Sequence, residues 1–67
     1  MELSARNQLK GKVKSVKTEG LTAEVIVDVG GNDLVSTITK ASADHLRLKA
    51  GDAVTVVIKA SEVLVGK

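Results

Sequence analysis

Ser4-Ala5-Arg6-Asn7-Gln8, followed by Leu9 and Gly11, sets a hydroxyl, a guanidinium and two carboxamides within five consecutive residues. The run is dense in hydrogen-bond donors around one permanent positive charge. Arg presents a planar fork that pairs two oxygens at once, so the chemistry suited to this segment is capture of a small anion. The plain alternative is that Arg6 and Asn7 decorate a wet surface. The rest of the chain offers no rival site. The single His, His45, has no second ligand and reads as a surface residue. No nucleophile–base pair and no phosphate-cradling glycine loop stands out, so an enzyme is not the expectation.

The segments that must position this run are strands. Leu9, Gly11 and Val13 alternate with Lys10, Lys12 and Lys14, which predicts a first strand with one basic face. The phase slips at Ser15-Val16, where a bulge is expected, and Lys17–Gly20 reads as a turn. Leu21, Ala23, Val25, Val27 and Val29 share one face of a second strand, with Ile26 among polar neighbours on the other. Gly30-Gly31-Asn32-Asp33 is a hairpin signal, and a third strand runs from Leu34 to Thr39. The alternation then breaks over Ala41–Leu46. Ser42 can cap a short helix there, with Asp44 in its first turn, and Leu46 and Leu48 can plug a barrel end. Ala53–Lys59 predicts a fourth strand, Ala60–Glu62 a tight connection, and Val63–Val65 a short fifth strand. Five strands with one short helix between the third and fourth follow the plan of a small OB-like β-barrel, an all-β fold.

Composition narrows the class further. Sixty-seven residues make one domain, 1–67. A chain of that size buries only about 60% of its unfolded surface and needs reinforcement. There is no Cys, which removes disulfides and thiolate metal sites, and one His is too few for a His-based zinc centre. Oligomerisation remains, and the 43% content of hydrophobic residues favours it. No run approaches the roughly 18 apolar residues of a membrane span. The Met1–Ser4 start lacks the basic and apolar regions of a secretory signal, so the expected location is the cytoplasm. Charge is uneven: residues 1–17 hold five basic groups against one acidic, and residues 18–67 hold five basic against seven acidic. A basic first strand attracts anions.

Taken together, the Ser-Ala-Arg-Asn-Gln-Leu-x-Gly start, the Ile38-Thr39-x-x-Ser42 segment and the Ile58-Lys59-Ala60-Ser61 segment resemble the molbindins. These are small molybdate-binding proteins built on the Mop-type domain, also called a TOBE domain. The resemblance spans Ser4 to about Val65. It implies a small OB-like barrel, a hexamer arranged as a trimer of dimers, and ligands held between subunits. It implies that Ser4, Arg6, Lys59 and Ser61 bind the anion from one subunit, while Thr39 and Ser42 bind it from a neighbour. Family members vary at Ser61, where a main-chain donor can serve.

Molybdate is a tetrahedral dianion with four acceptor oxygens and no proton, so its site should hold donors and positive charge. Arg6 supplies a bidentate contact, Lys59 a point charge, and Ser4, Thr39, Ser42 and Ser61 a hydroxyl each. Ser42 reads equally as a helix cap, Thr39 as a strand residue and Lys59 as the wet end of a strand. Lys40 reads as a solvated lysine. Asn7 and Gln8 read as braces for the backbone rather than ligand contacts. Phosphate carries protons near neutral pH, which a site without acceptors penalises; sulfate has shorter bonds, which a rigid cage rejects on size. Tungstate is nearly isosteric with molybdate, so the two should bind alike. No metal site other than for the oxyanion, no organic cofactor and no membrane partner is expected.

The competing reading is a nucleic-acid-binding OB module, on the strength of the barrel plan and the basic strand. Single-strand binding on such folds leans on aromatic stacking, worth about 1–3 kcal/mol per base. The chain has no aromatic residue and a net charge of only +2, which sets this reading second. Relatives fuse the domain to DNA-binding or ATPase parts, for which 67 residues leave no room. Storage or buffering of molybdate is therefore the expected role.

Overall fold

Gly30 and Gly31 both adopt left-handed backbone angles, φ +57° and +88°, and so fold β2 (Thr22–Val29) back onto β3 (Asn32–Thr39). The Asp28 carboxylate braces the turn by accepting the Gly31 N–H at 3.0 Å. This hairpin sits in a computed structural model that describes residues 4–67. Its other elements are β1 (Asn7–Glu19), α1 (Lys40–His45), β4 (Ala53–Ile58) and a single 3₁₀ turn at Ala60–Glu62. The four strands form one antiparallel sheet in the order β3-β2-β1-β4.

The long strand β1 serves two neighbours. Asn7–Lys12 pairs with β4 and Lys12–Glu19 with β2, so Lys12 is shared between Ala53 and Asp28. The register shifts between Val13 and Ser15, one residue before the slip read from the sequence. There the Val13 N–H turns to the Asp52 carbonyl at 2.9 Å, and the Val13 carbonyl accepts from the Gly51 N–H at 2.8 Å. A bulge of this kind bends a strand and strengthens its twist. The sheet curls enough for β3 and β4 to line the same cleft, of about 610 Å³. No ladder joins them, so the sheet stays open and the closed barrel expected from the sequence is not formed within the chain.

The concave face carries the core. Val13, Val25 and Val27 are buried, and Val16, Val29, Ile38, Leu48, Val54 and Val56 pack around them. These residues alternate along their strands with less buried ones, as period two requires, polar except at Ile26, Ala53 and Val57. Gly11 is crowded by the end of β2: a Cβ there would stand 2.7 Å from the Asp28 carbonyl oxygen and 2.7 Å from a Val27 methyl. Only a hydrogen fits.

Several local expectations need correction. Lys17–Glu19 is not a turn but the last stretch of β1, paired with Thr22–Glu24, and Leu21 falls in the turn before β2, 86% exposed rather than on the core face. The fifth strand over Val63–Val65 is absent; the 3₁₀ turn carries the chain away from a ladder partner, leaving Leu64 93% and Val65 94% exposed. The helix starts earlier than read, and Thr39 caps it rather than Ser42, because Thr39 keeps the extended backbone of β3 while Ser42 is already inside the helix. Asp44 is consequently not in the first turn but pairs with Lys40 one turn back, at 3.0 Å. Of the two proposed plugs, Leu48 packs on the core and Leu46 is 62% exposed. Between them Arg47 takes φ +52°. The Leu48 N–H then reaches back to the Ala43 carbonyl at 3.1 Å and closes the helix end.

Candidate functional site

The β1–β4 ladder ends on the pair Asn7↔Ile58. One residue further out on each side stand Arg6 and Lys59. Beyond them the chain runs back through Ala5 to Ser4, and forward into the 3₁₀ turn that carries Ser61. Ser4, Ala5, Arg6, Val57, Lys59, Ala60 and Ser61 line one concavity of about 620 Å³. Four residues named from the sequence, Ser4, Arg6, Lys59 and Ser61, are thus brought together from the two termini. All four are exposed, and among the described residues no carboxylate lines the concavity. The ion pairs among the described residues are Lys14–Asp33, Lys40–Asp44 and Lys49–Asp52, so neither Arg6 nor Lys59 is neutralised there. Two cations and two hydroxyls around one hollow are donors of the kind that suits an oxyanion.

The chain is held in this shape by the two amides of the opening motif. Asn7 Nδ2 donates to the Ile58 carbonyl at 3.2 Å, and Gln8 Nε2 donates to the Ala5 carbonyl at 2.9 Å. Both act as backbone braces, in keeping with the sequence reading.

Thr39 and Ser42 lie elsewhere. Thr39 pairs with Thr22, which in turn pairs with Glu19 at the far end of β1. Thr39 Oγ1 accepts the Ser42 N–H at 3.0 Å and donates to Ser42 Oγ at 2.8 Å. Leu21, Thr39, Lys40, Ala41 and Asp44 line a second concavity of about 430 Å³. It shares no residue with the first. The two hollows lie toward opposite ends of β1. One chain therefore presents two separate hollows, one cationic and one in which Thr39 supplies the hydroxyl; Ser42 is bonded to Thr39 but is not among the residues that line it.

The basic face of β1 is less open than its sequence implies. Lys14 is held by the Asp33 carboxylate at 3.0 Å, and Lys12 stands opposite Asp28. Among the described residues no cluster of three or more His, Cys, Asp or Glu gathers to hold a metal ion, and His45 is exposed. No helix is long and apolar enough to cross a membrane. Sequence reasoning missed Val57 as part of the cationic hollow. Its signal was the alternation of β4, which turns Val57 away from the core that takes Val56.

The fold matches known proteins along the whole chain. The TOBE domain model matches residues 3–65. Molybdenum-pterin-binding protein 1 of Clostridium pasteurianum is 46% identical over 66 residues, covering 97% of each chain. The solved structure of a molybdate-binding protein from Sporomusa ovata superposes with a TM-score of 0.95 at 39% identity, covering 100% of both chains. The cytoplasmic molybdate-binding protein ModG, solved with molybdate bound, gives 0.85 at 43% identity, covering 90% of this chain and 43% of that one. The chain belongs to the TOBE-domain family, in its molbindin branch.

Proposed function

We propose that this protein binds molybdate, and tungstate nearly as well, in cages completed between copies of the chain, and that it stores or buffers the anion in the cytoplasm. The observation that carries the reading is the cationic hollow: Ser4, Arg6, Lys59 and Ser61 line one space that no carboxylate of the described residues enters. A proton-free dianion accepts from every one of these groups and returns no unmatched donor. Thr39 and Ser42 of a neighbouring copy would complete the shell, since the path along β1 keeps them from serving their own chain's hollow. Names of relatives support the ligand, and the description of ModG supports the location. The donor set fits the bare oxyanion; a chain without aromatic residues offers a pterin ring no stacking partner.

We read residues 1–67 as one domain and its assembly as a hexamer, a trimer of dimers. Support for assembly comes from the two unpaired sheet edges, β3 and β4, and from the exposed apolar Val63, Leu64 and Val65. Ligand that binds only the assembled form stabilises it, by about 2.7 kcal/mol per site at one hundred times the dissociation constant.

Calorimetric titration with molybdate, tungstate, sulfate, phosphate and a molybdopterin, paired with native mass measurement, tests the reading. Tight binding of the first two alone by a homo-oligomer is expected. A monomer that gives no heat with molybdate overturns it.

A further inference from the structure

Arg6 and Lys59 line the cationic hollow, while Asn7 and Ile58, their immediate chain neighbours, do not. These two half-buried residues lie behind its wall and are joined there by the Asn7 Nδ2 bond to the Ile58 carbonyl at 3.2 Å. Of the side-chain hydrogen bonds among the described residues, this one joins the positions farthest apart in sequence, 51 residues; the next, Lys14–Asp33, spans 19. It also falls at the last rung of the β1–β4 ladder. Past that rung no backbone pairing holds Arg6 beside Lys59, and like charges at facing cross-strand positions push apart.

We propose that Asn7 is the positioning residue of the anion site: its carboxamide fixes the spacing of Arg6 and Lys59 and so the size of oxyanion the cage accepts. The peptide unit between Ile58 and Lys59 is rigid and planar. Anchoring the Ile58 carbonyl therefore sets the direction in which the chain enters Lys59, which leaves the strand with φ −64° and ψ 132°. On the other strand Asn7 is joined directly to Arg6. One bond thus locks the origins of both cationic side chains. A cage whose charges are held apart at a fixed distance fits the longer bonds of molybdate and leaves the smaller sulfate under-contacted; a slack cage closes on either.

The inference rests on the proposed molybdate site, and the test separates the two. The intact protein and its Asn7→Ala variant are titrated with molybdate and with sulfate. The variant's dissociation constant for molybdate should rise about tenfold, as for loss of an outer-shell support. The ratio of sulfate to molybdate constants should fall at least about threefold, because sulfate gains from slack what molybdate loses. In a Lys59→Ala background, Asn7→Ala should add less than about twofold, since the residue acts through that lysine. If Asn7→Ala does not fold, Asn7→Thr keeps the strand preference and lacks the amide donor. On titrating the unaltered protein, the Asn7 side-chain NMR signal should move less than that of Arg6. A wild type that binds no molybdate removes the site and this role together. A wild type that binds, with a variant that keeps its affinity or weakens toward both anions equally, removes the positioning role alone. An Asn7 signal that shifts most of all makes Asn7 a direct ligand and likewise overturns it.

Discussion

The two hollows are built by opposite means. The cationic one joins residues from the two ends of the sequence and depends on long-range register, with Asn7 tied to Ile58 across 51 positions. The second comes mainly from Thr39, Lys40, Ala41 and Asp44 with Leu21 beside them, and the hydrogen bonds that shape it span three or four positions. The first leaves its charges bare; the second balances Lys40 with Asp44 at 3.0 Å. The charges of the first hollow are therefore placed by the fold as a whole, and the second hollow by one local turn.

The sharpest way to break this contrast is Arg6→Ala. It should weaken molybdate binding about 100-fold, since a bidentate charge-assisted contact is lost, while the melting midpoint stays within about 2 °C because Arg6 is exposed. Calorimetry and thermal denaturation together check this; an unaltered affinity removes the assignment of charge to the cationic hollow.

Gly11→Ala should cost about 2 kcal/mol of stability through overpacking against Asp28 and Val27. Its damage should spread to the cationic hollow through β1 register, and denaturant unfolding with molybdate titration will read both. Thr39→Val removes the cap acceptor of α1 and should cost about 1 kcal/mol. Its effect on molybdate affinity should stay well below that of Arg6→Ala, as a local element permits. The smallest change is Arg47→Gly, which relieves the left-handed backbone after α1. It should raise stability by roughly 0.5–1 kcal/mol and leave anion binding unmoved.

Local patterns were legible in the sequence where they decide the outcome locally. The β2–β3 hairpin follows from alternation and from Gly30-Gly31, and β4 from its run of Val and Thr. The cap of α1 was misplaced because Thr39 and Ser42 are both hydroxyl residues three apart, and only backbone geometry tells which still belongs to the strand. Val63–Val65 has the composition of a strand, but a strand is made by a partner, and the chain supplies none there. The gathering of Ser4, Arg6, Lys59 and Ser61 came from likeness to the molbindins; no spacing within one segment encodes the pairing of Asn7 with Ile58.

The distance between the two hollows also has a bearing on stoichiometry. Every copy of the chain owns one of each kind, so a ring or other finite symmetric assembly matches all of them, whereas a linear string strands an unmatched partner at either tip. If ligand bridges the two kinds, saturation itself favours finite particles over filaments, and the count of ions taken up equals the count of chains.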